Sequence, residues 1–117
     1  MTHLRFGAFL APHHPVGEHP FHLFQRDLAF ASHLDRQGFD ELWVGEHHSS
    51  GWETIGSPEM FLAAASQITS RIKLATGVIS LPYHHPFGFL YVPPERQPKG
   101  GRNGPKAVAS RQAITST

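Results

Sequence analysis

The sequence predicts a parallel α/β fold, and three observations carry that reading. Short apolar stretches alternate with amphipathic ones in the order strand, helix, strand, helix, strand. The amphipathic stretches, roughly 13–17 residues each, are long enough to return the chain across a sheet. Polar, histidine-rich loops follow each apolar stretch, so they gather at one end of the sheet. That order implies parallel pairing and right-handed crossovers.

The elements follow in turn. Leu4 to Leu10 is short, mostly apolar and closed by Pro12, which predicts a strand buried on both faces. His13 to Pro20 carries Pro15, Gly17 and Pro20 and reads as a loop. From about Phe21 the period changes: Phe24, Leu28 and Ala31, with Leu34 beside them, trace one helix face. Gly38 is a natural left-handed stop. Glu41 to Gly45 is a second strand, followed by the polar loop Glu46-His47-His48-Ser49-Ser50-Gly51. Ser57-Pro58-Glu59 reads as a helix start with Ser as N-cap. Phe61, Ala65, Ile68 and Ile72 are the expected buried face. A third strand is expected from roughly Ile72 to Ser80, ending at Leu81-Pro82.

A chain of 117 residues makes one small domain at most, or a piece of a larger one. Its charged content of 16% is low for a free-standing domain and suggests that much of the surface is meant to be covered. There is no Cys, which excludes a disulfide framework, a thiolate zinc site and a cysteine nucleophile. No apolar run approaches the ~20 residues that span a bilayer. Residues 1–10 carry no signal-peptide pattern, so no membrane partner and a cytoplasmic protein are expected.

The net charge of +1 divides unevenly. Residues 1–86 carry a net −3 and all ten His; residues 87–117 carry a net +4 with frequent Pro and Gly. Two parts are therefore expected: a folded region, 1–86, and an irregular basic tail, 87–117, with a short helix around 107–113. No aromatic residues interleave the tail's charge, so no nucleic acid is expected as a partner.

In parallel α/β folds the working residues sit on loops after the carboxyl ends of the strands. Those loops hold His13-His14, Glu46-His47-His48 and Tyr83-His84-His85, six of the ten His. Imidazoles suit both proton transfer near neutral pH and metal ligation. Adjacent His pairs on one strand point to opposite faces and chelate poorly, so no metal is expected.

At these residues the sequence resembles a family. Leu4 to Leu10, the G-F-D-x-x-W-x-x-E-H-H block from Gly38 to His48, Ser57-Pro58-Glu59 with Ala63-Ala64-Ala65, and the T-G-x-x-x-L-P-x-x-H-P block from Thr76 to Pro86 resemble the start of a bacterial luciferase-like flavin-dependent monooxygenase. The resemblance covers residues 1–86 and implies the first three βα units of a TIM (β/α)₈ barrel. It implies oxidation of a small apolar organic substrate by O₂ and reduced FMN, the flavin supplied by a partner reductase. Such chemistry needs a dry pocket, for which Phe6, Phe9, Trp43 and Leu81 are suitable lining.

By the same resemblance His47 is the active-site His after the second strand, serving proton transfer near the flavin. Glu46, preceding it, is positioned to orient a neighbouring His. Thr76, Gly77, Val78 and His85 are the expected cofactor-binding residues. Relatives place a bulge at Gly77-Val78, often with a non-prolyl cis peptide, that supports the isoalloxazine ring. Thr76 would bond a flavin edge, and His85 matches a pocket-side His; His13 and His14 have no firm counterpart.

Three strands cannot close a barrel, and the strands that commonly hold a cofactor phosphate, the seventh and eighth, are not in this sequence. A truncated or frame-shifted product that binds FMN poorly is therefore one expectation, with open edges driving self-association into a homo-oligomer. Two further readings stay open. One is a deazaflavin-dependent oxidoreductase on the same barrel, transferring hydride without O₂. The other is a non-catalytic fragment, either unfolded or held as an interaction partner by a barrel homologue.

Overall fold

The computed structural model describes residues 4–85. Three short strands, β1 (Gly7–Leu10), β2 (Glu41–Val44) and β3 (Lys73–Thr76), form one parallel sheet in the order β1-β2-β3. Helix α1 (Pro20–Gln37) connects β1 to β2, and helix α2 (Pro58–Ala65) connects β2 to β3. A single 3₁₀ turn, Leu81–Tyr83, follows β3.

Helix α1 has defined ends. The Nδ1 of His19 accepts the Phe21 N–H at 3.2 Å as N-cap, and Pro20 occupies the first turn. Gly38 stops the helix at φ 86°, with the Phe39 N–H reaching back to the Leu34 carbonyl. A side chain there would be strained, which is why the sequence signal at Gly38 is reliable.

The core lies between the helices and one face of the sheet. Leu10, Leu42 and Val44 from the strands meet Ala31 and Leu34 from α1 and Phe61 and Ala65 from α2. Phe24 and Phe61 pack edge to face at 5.3 Å. Pairing of Phe9 with Trp43 and of Trp43 with Ala75 puts these residues on the other face, together with Gly7 and Glu41.

Several expectations are corrected. The first strand is not buried on both faces: Phe9 is 59% exposed, because among the described residues both helices cover the same side. Helix α1 buries Leu23 and Asp27 besides Ala31 and Leu34, while Phe24 and Leu28 are only partly buried. Helix α2 is one residue over two turns, so Ile68 falls beyond it and is exposed. Ile72 is buried, but as the lead-in to β3. The third strand stops at Thr76 rather than Ser80. Ser57 makes no side-chain cap bond; the Pro58 signal fixes that helix start instead. The tail 87–117 and its expected short helix lie outside the described residues.

Candidate functional site

The three histidine-bearing loops meet at the carboxyl end of the sheet, held there by two buried carboxylates. The first is Glu46, one residue past the β2–Gly45 junction. Its Oε1 lies 2.5 Å from His48 Nε2 and 3.0 Å from His84 Nε2, and its Oε2 accepts the Ser80 N–H at 2.8 Å. Burial alone would raise its pKa. Hydrogen bonding from His48 and Ser80, with His84 beside it, outweighs that and holds the carboxyl below its ordinary value. Glu46 thus ties the exit of β2 to the segment after β3.

The second carboxylate, Glu53, was not singled out in the sequence. Its Oε1 lies 2.6 Å from His13 Nε2 and its Oε2 lies 3.0 Å from His47 Nδ1. The Ser50 hydroxyl donates to Oε2 at 2.8 Å. Glu46 lies against His48 and His84, whereas the carboxylate beside His47 is Glu53. The available signal was an acid six residues after His47, the second carboxylate of a loop that holds no Lys or Arg. Its link to His13 spans 40 positions and is set by an isolated antiparallel bridge between the two loops.

A shelf lies beside His47 on the sheet face opposite the helices. A Cβ built on Gly45 would stand 3.3 Å from the Phe9 ring and 3.7 Å from His47 Nε2. One built on Gly77 would stand 3.3 Å from Phe9 and 3.5 Å from Trp43. The Phe9 ring therefore lies across both glycines, beside Trp43, and this exposed aromatic surface is the shelf. The Gly77–Val78 peptide is cis, the conformation the resemblance implies there.

The other expected site residues separate. Val78 is 41% exposed. Thr76 pairs with Val44 in register, so its side chain belongs to the helix side of the sheet, away from the shelf. His85 is exposed at the end of the described chain. Next to His47, on the outer side of His13, an open cleft of about 390 Å³ is lined by His13, His14, Pro15 and Trp52. His14 is buried there, its Nε2 2.9 Å from Asp27 Oδ2.

Glu46, His48 and His84 together offer three metal-ligating atoms within 4.8 Å of one another. Two ligands of one tetrahedral cation at bond lengths of ~2.1 Å stand roughly 3.4 Å apart. The 2.5 Å between His48 and Glu46 is instead a short hydrogen bond, and the cluster as it stands shares protons.

A parallel sheet whose carboxyl end carries the histidines and whose helices cover one face alone is the arrangement that recurs around a (β/α)₈ barrel. The model for the luciferase-like monooxygenases matches residues 4–89, and the chain belongs to that family. It is 61% identical over 87 residues to 4-hydroxyprotoasukamycin monooxygenase of Streptomyces nodosus subsp. asukaensis, covering 74% of this chain and 24% of that protein. It is 60% identical over 82 residues to limonene 1,2-monooxygenase of Rhodococcus erythropolis, covering 70% and 21%.

Among solved structures it matches the oxygenating constituent of 3,6-diketocamphane monooxygenase from Pseudomonas putida. That protein is described as a type II Baeyer-Villiger monooxygenase in complex with FMN. The match has a TM-score of 0.71 at 31% identity and covers 75% of this chain and 24% of that one. The fold is therefore the first three βα units of a luciferase-like TIM barrel, and the chain spans about a quarter of the length of these relatives. Among the described residues no helix is long and apolar enough to cross a membrane.

Proposed function

We propose that these residues form the flavin-facing wall of an FMN-dependent monooxygenase acting on a small, largely apolar organic molecule. The observation that carries this reading is the shelf: the exposed Phe9 ring lies across Gly45 and Gly77 beside Trp43, with His47 Nε2 at its edge. Relatives named for limonene and for diketocamphane, and a neighbour that holds FMN, favour the same chemistry. Reduced FMN, when bound, supplies the electrons that activate O₂; a separate flavin reductase is the proposed source of that reduced flavin.

The chain's own residues then have defined tasks. Phe9 and Trp43 present an apolar floor that excludes water, which such oxidations require. Gly45 and Gly77 let the Phe9 ring settle close to the backbone, which makes the floor aromatic. His47 holds or moves a proton at Nε2, the ring nitrogen on the shelf side. Glu46 acts at a distance from the shelf, locking His48 and His84 to the β2 exit. The cleft beside His13, walled by Pro15 and Trp52, offers the organic substrate an apolar surface one ring away from His47.

The test is an anaerobic titration of the ¹⁵N-labelled chain with reduced FMN, read by amide shifts. Shifts centred on Gly45, Gly77 and His47 are expected, and Gly77→Val should abolish them while the amides of α1 keep their native positions. Binding that leaves those three residues unmoved, or that survives Gly77→Val unchanged, would overturn the reading.

A further inference from the structure

The side chain of Glu53 is buried, and both of its oxygens are committed to imidazoles from different loops. The backbone around it is stitched on both sides. His13 and Glu53 form the isolated bridge, the His14 N–H donates to the Trp52 carbonyl at 2.8 Å, and the His47 N–H donates to the Ile55 carbonyl at 3.2 Å. The backbone that carries the carboxylate is therefore held in place independently of the two rings, and the Ser50 hydroxyl bonds Oε2. The rings it joins lie 6.3 Å apart with a 28° interplanar angle.

Which nitrogen of a neutral imidazole carries the proton is decided by the partner of the other nitrogen. A carboxylate is acceptor-only. Placed 3.0 Å from His47 Nδ1, it draws the proton there and leaves Nε2 bare. The bare nitrogen is the one beside Gly45 and the shelf.

We propose that Glu53 is the positioning residue of this site: it holds His47 as the Nδ1–H tautomer with Nε2 open toward the shelf, and binds His13 to the same carboxylate. His47 can then accept a proton at Nε2 from a donor on the shelf and return it along the same path. The Nδ1–H bond to Glu53 stays intact throughout and stabilises the imidazolium that forms. The functional meaning rests on His47 as the proton carrier; the tautomer is a property of the chain by itself.

Long-range ¹H–¹⁵N spectra of the imidazoles, recorded on the full chain at alkaline pH, test it without flavin. His47 is expected with a protonated Nδ1 and a bare Nε2, and His13 with a protonated Nε2. Glu53→Leu removes the acceptor and should convert His47 to a mixture dominated by Nε2–H. Glu53→Gln keeps one acceptor oxygen and should restore the native pattern for one of the two rings only. A wild-type His47 protonated at Nε2 overturns the proposal even if the variants fail to fold, as does a His47 pattern indifferent to Glu53→Leu. Should His47→Ala leave oxidation unchanged in a full-length barrel carrying this segment, the proton-carrier reading falls while the tautomer result stands.

Discussion

Asp35 and Glu46 lie at opposite ends of the sheet, and both carboxylates are buried. At the amino end Asp35 accepts from backbone: Oδ1 takes the Arg71 and Ile72 N–H groups at 2.9 and 2.7 Å, and Oδ2 takes the Ser70 N–H at 2.9 Å and its hydroxyl at 3.1 Å. At the carboxyl end Glu46 lies against the imidazoles of His48 and His84, and Glu53 against those of His13 and His47. Backbone donors cannot lose their protons, so the amino-end contacts are permanent. Imidazoles can gain, lose or turn their protons. The same buried group thus fastens the fold at one end and furnishes exchangeable protons at the other, in line with the division of stability and chemistry between the two faces of such barrels.

The largest effect is expected from Asp35→Asn. The substitution keeps the shape but replaces one acceptor oxygen by an amide that faces backbone donors. Stranding buried N–H groups in this way should cost about 3–5 kcal/mol, a large share of what a small domain possesses. The cooperative urea transition should be lost or shifted far to lower urea. The pH dependence has a definite sign. Burial opposes the charge on Asp35, but the Ile72, Ser70 and Arg71 hydrogen bonds outweigh it and hold the pKa below its ordinary value. The stability is therefore complete above the unfolded carboxyl pKa and declines as pH falls through the lower folded value. An acid transition that is the same in Asp35→Asn as in the wild type would break the comparison at its stronger end.

Glu46→Gln should cost less, about 1–2 kcal/mol, because a carboxamide oxygen still serves Ser80 or one imidazole. Its lowered pKa gives it the same sign as Asp35: stability present above the ordinary carboxyl range and lost on acidification. The distinguishing readout is local. The ring signals of His48 and His84 should move in Glu46→Gln, whereas those of His47 and His13 should hold, since they answer to Glu53. Coincident movement of all four rings would show one merged network where two separate clusters are described.

How much of this was legible beforehand follows the same division. Element order, parallel pairing and the stop at Gly38 were readable because period, Pro58 and a required positive φ are local properties. Strand and helix lengths were less so. Ile68 continues the apolar period of α2, yet the chain leaves the helix after Ala65 to reach β3. Asp35 was not singled out in the sequence, because its role depends on donors 35–37 positions away. His47 and Glu46 were found through motif resemblance, and Glu53 was missed because its two partners come from different loops. Thr76 was expected from the resemblance beside Gly77, and strand alternation places the two residues on opposite faces.

Asp27 sharpens the contrast with the smallest effect. It too is a buried carboxylate near the carboxyl end, 2.9 Å from His14 Nε2, but there burial wins over the attraction of His14 and Arg26 and raises its pKa. The sign is then opposite to that of Asp35. The folded state holds the proton more tightly, so this residue's contribution falls as pH rises from the unfolded value through the raised folded one. Asp27→Asn keeps an acceptor for His14 and removes the desolvated charge, so a change within about 1 kcal/mol is expected at neutral pH. Stability measured by urea denaturation from about pH 4 to 7 should rise more steeply in Asp27→Asn than in the wild type, because the opposing slope is gone. A flatter profile would mean that His14 and Arg26 govern Asp27 after all, and that the carboxyl end binds this charge as firmly as the amino end binds Asp35.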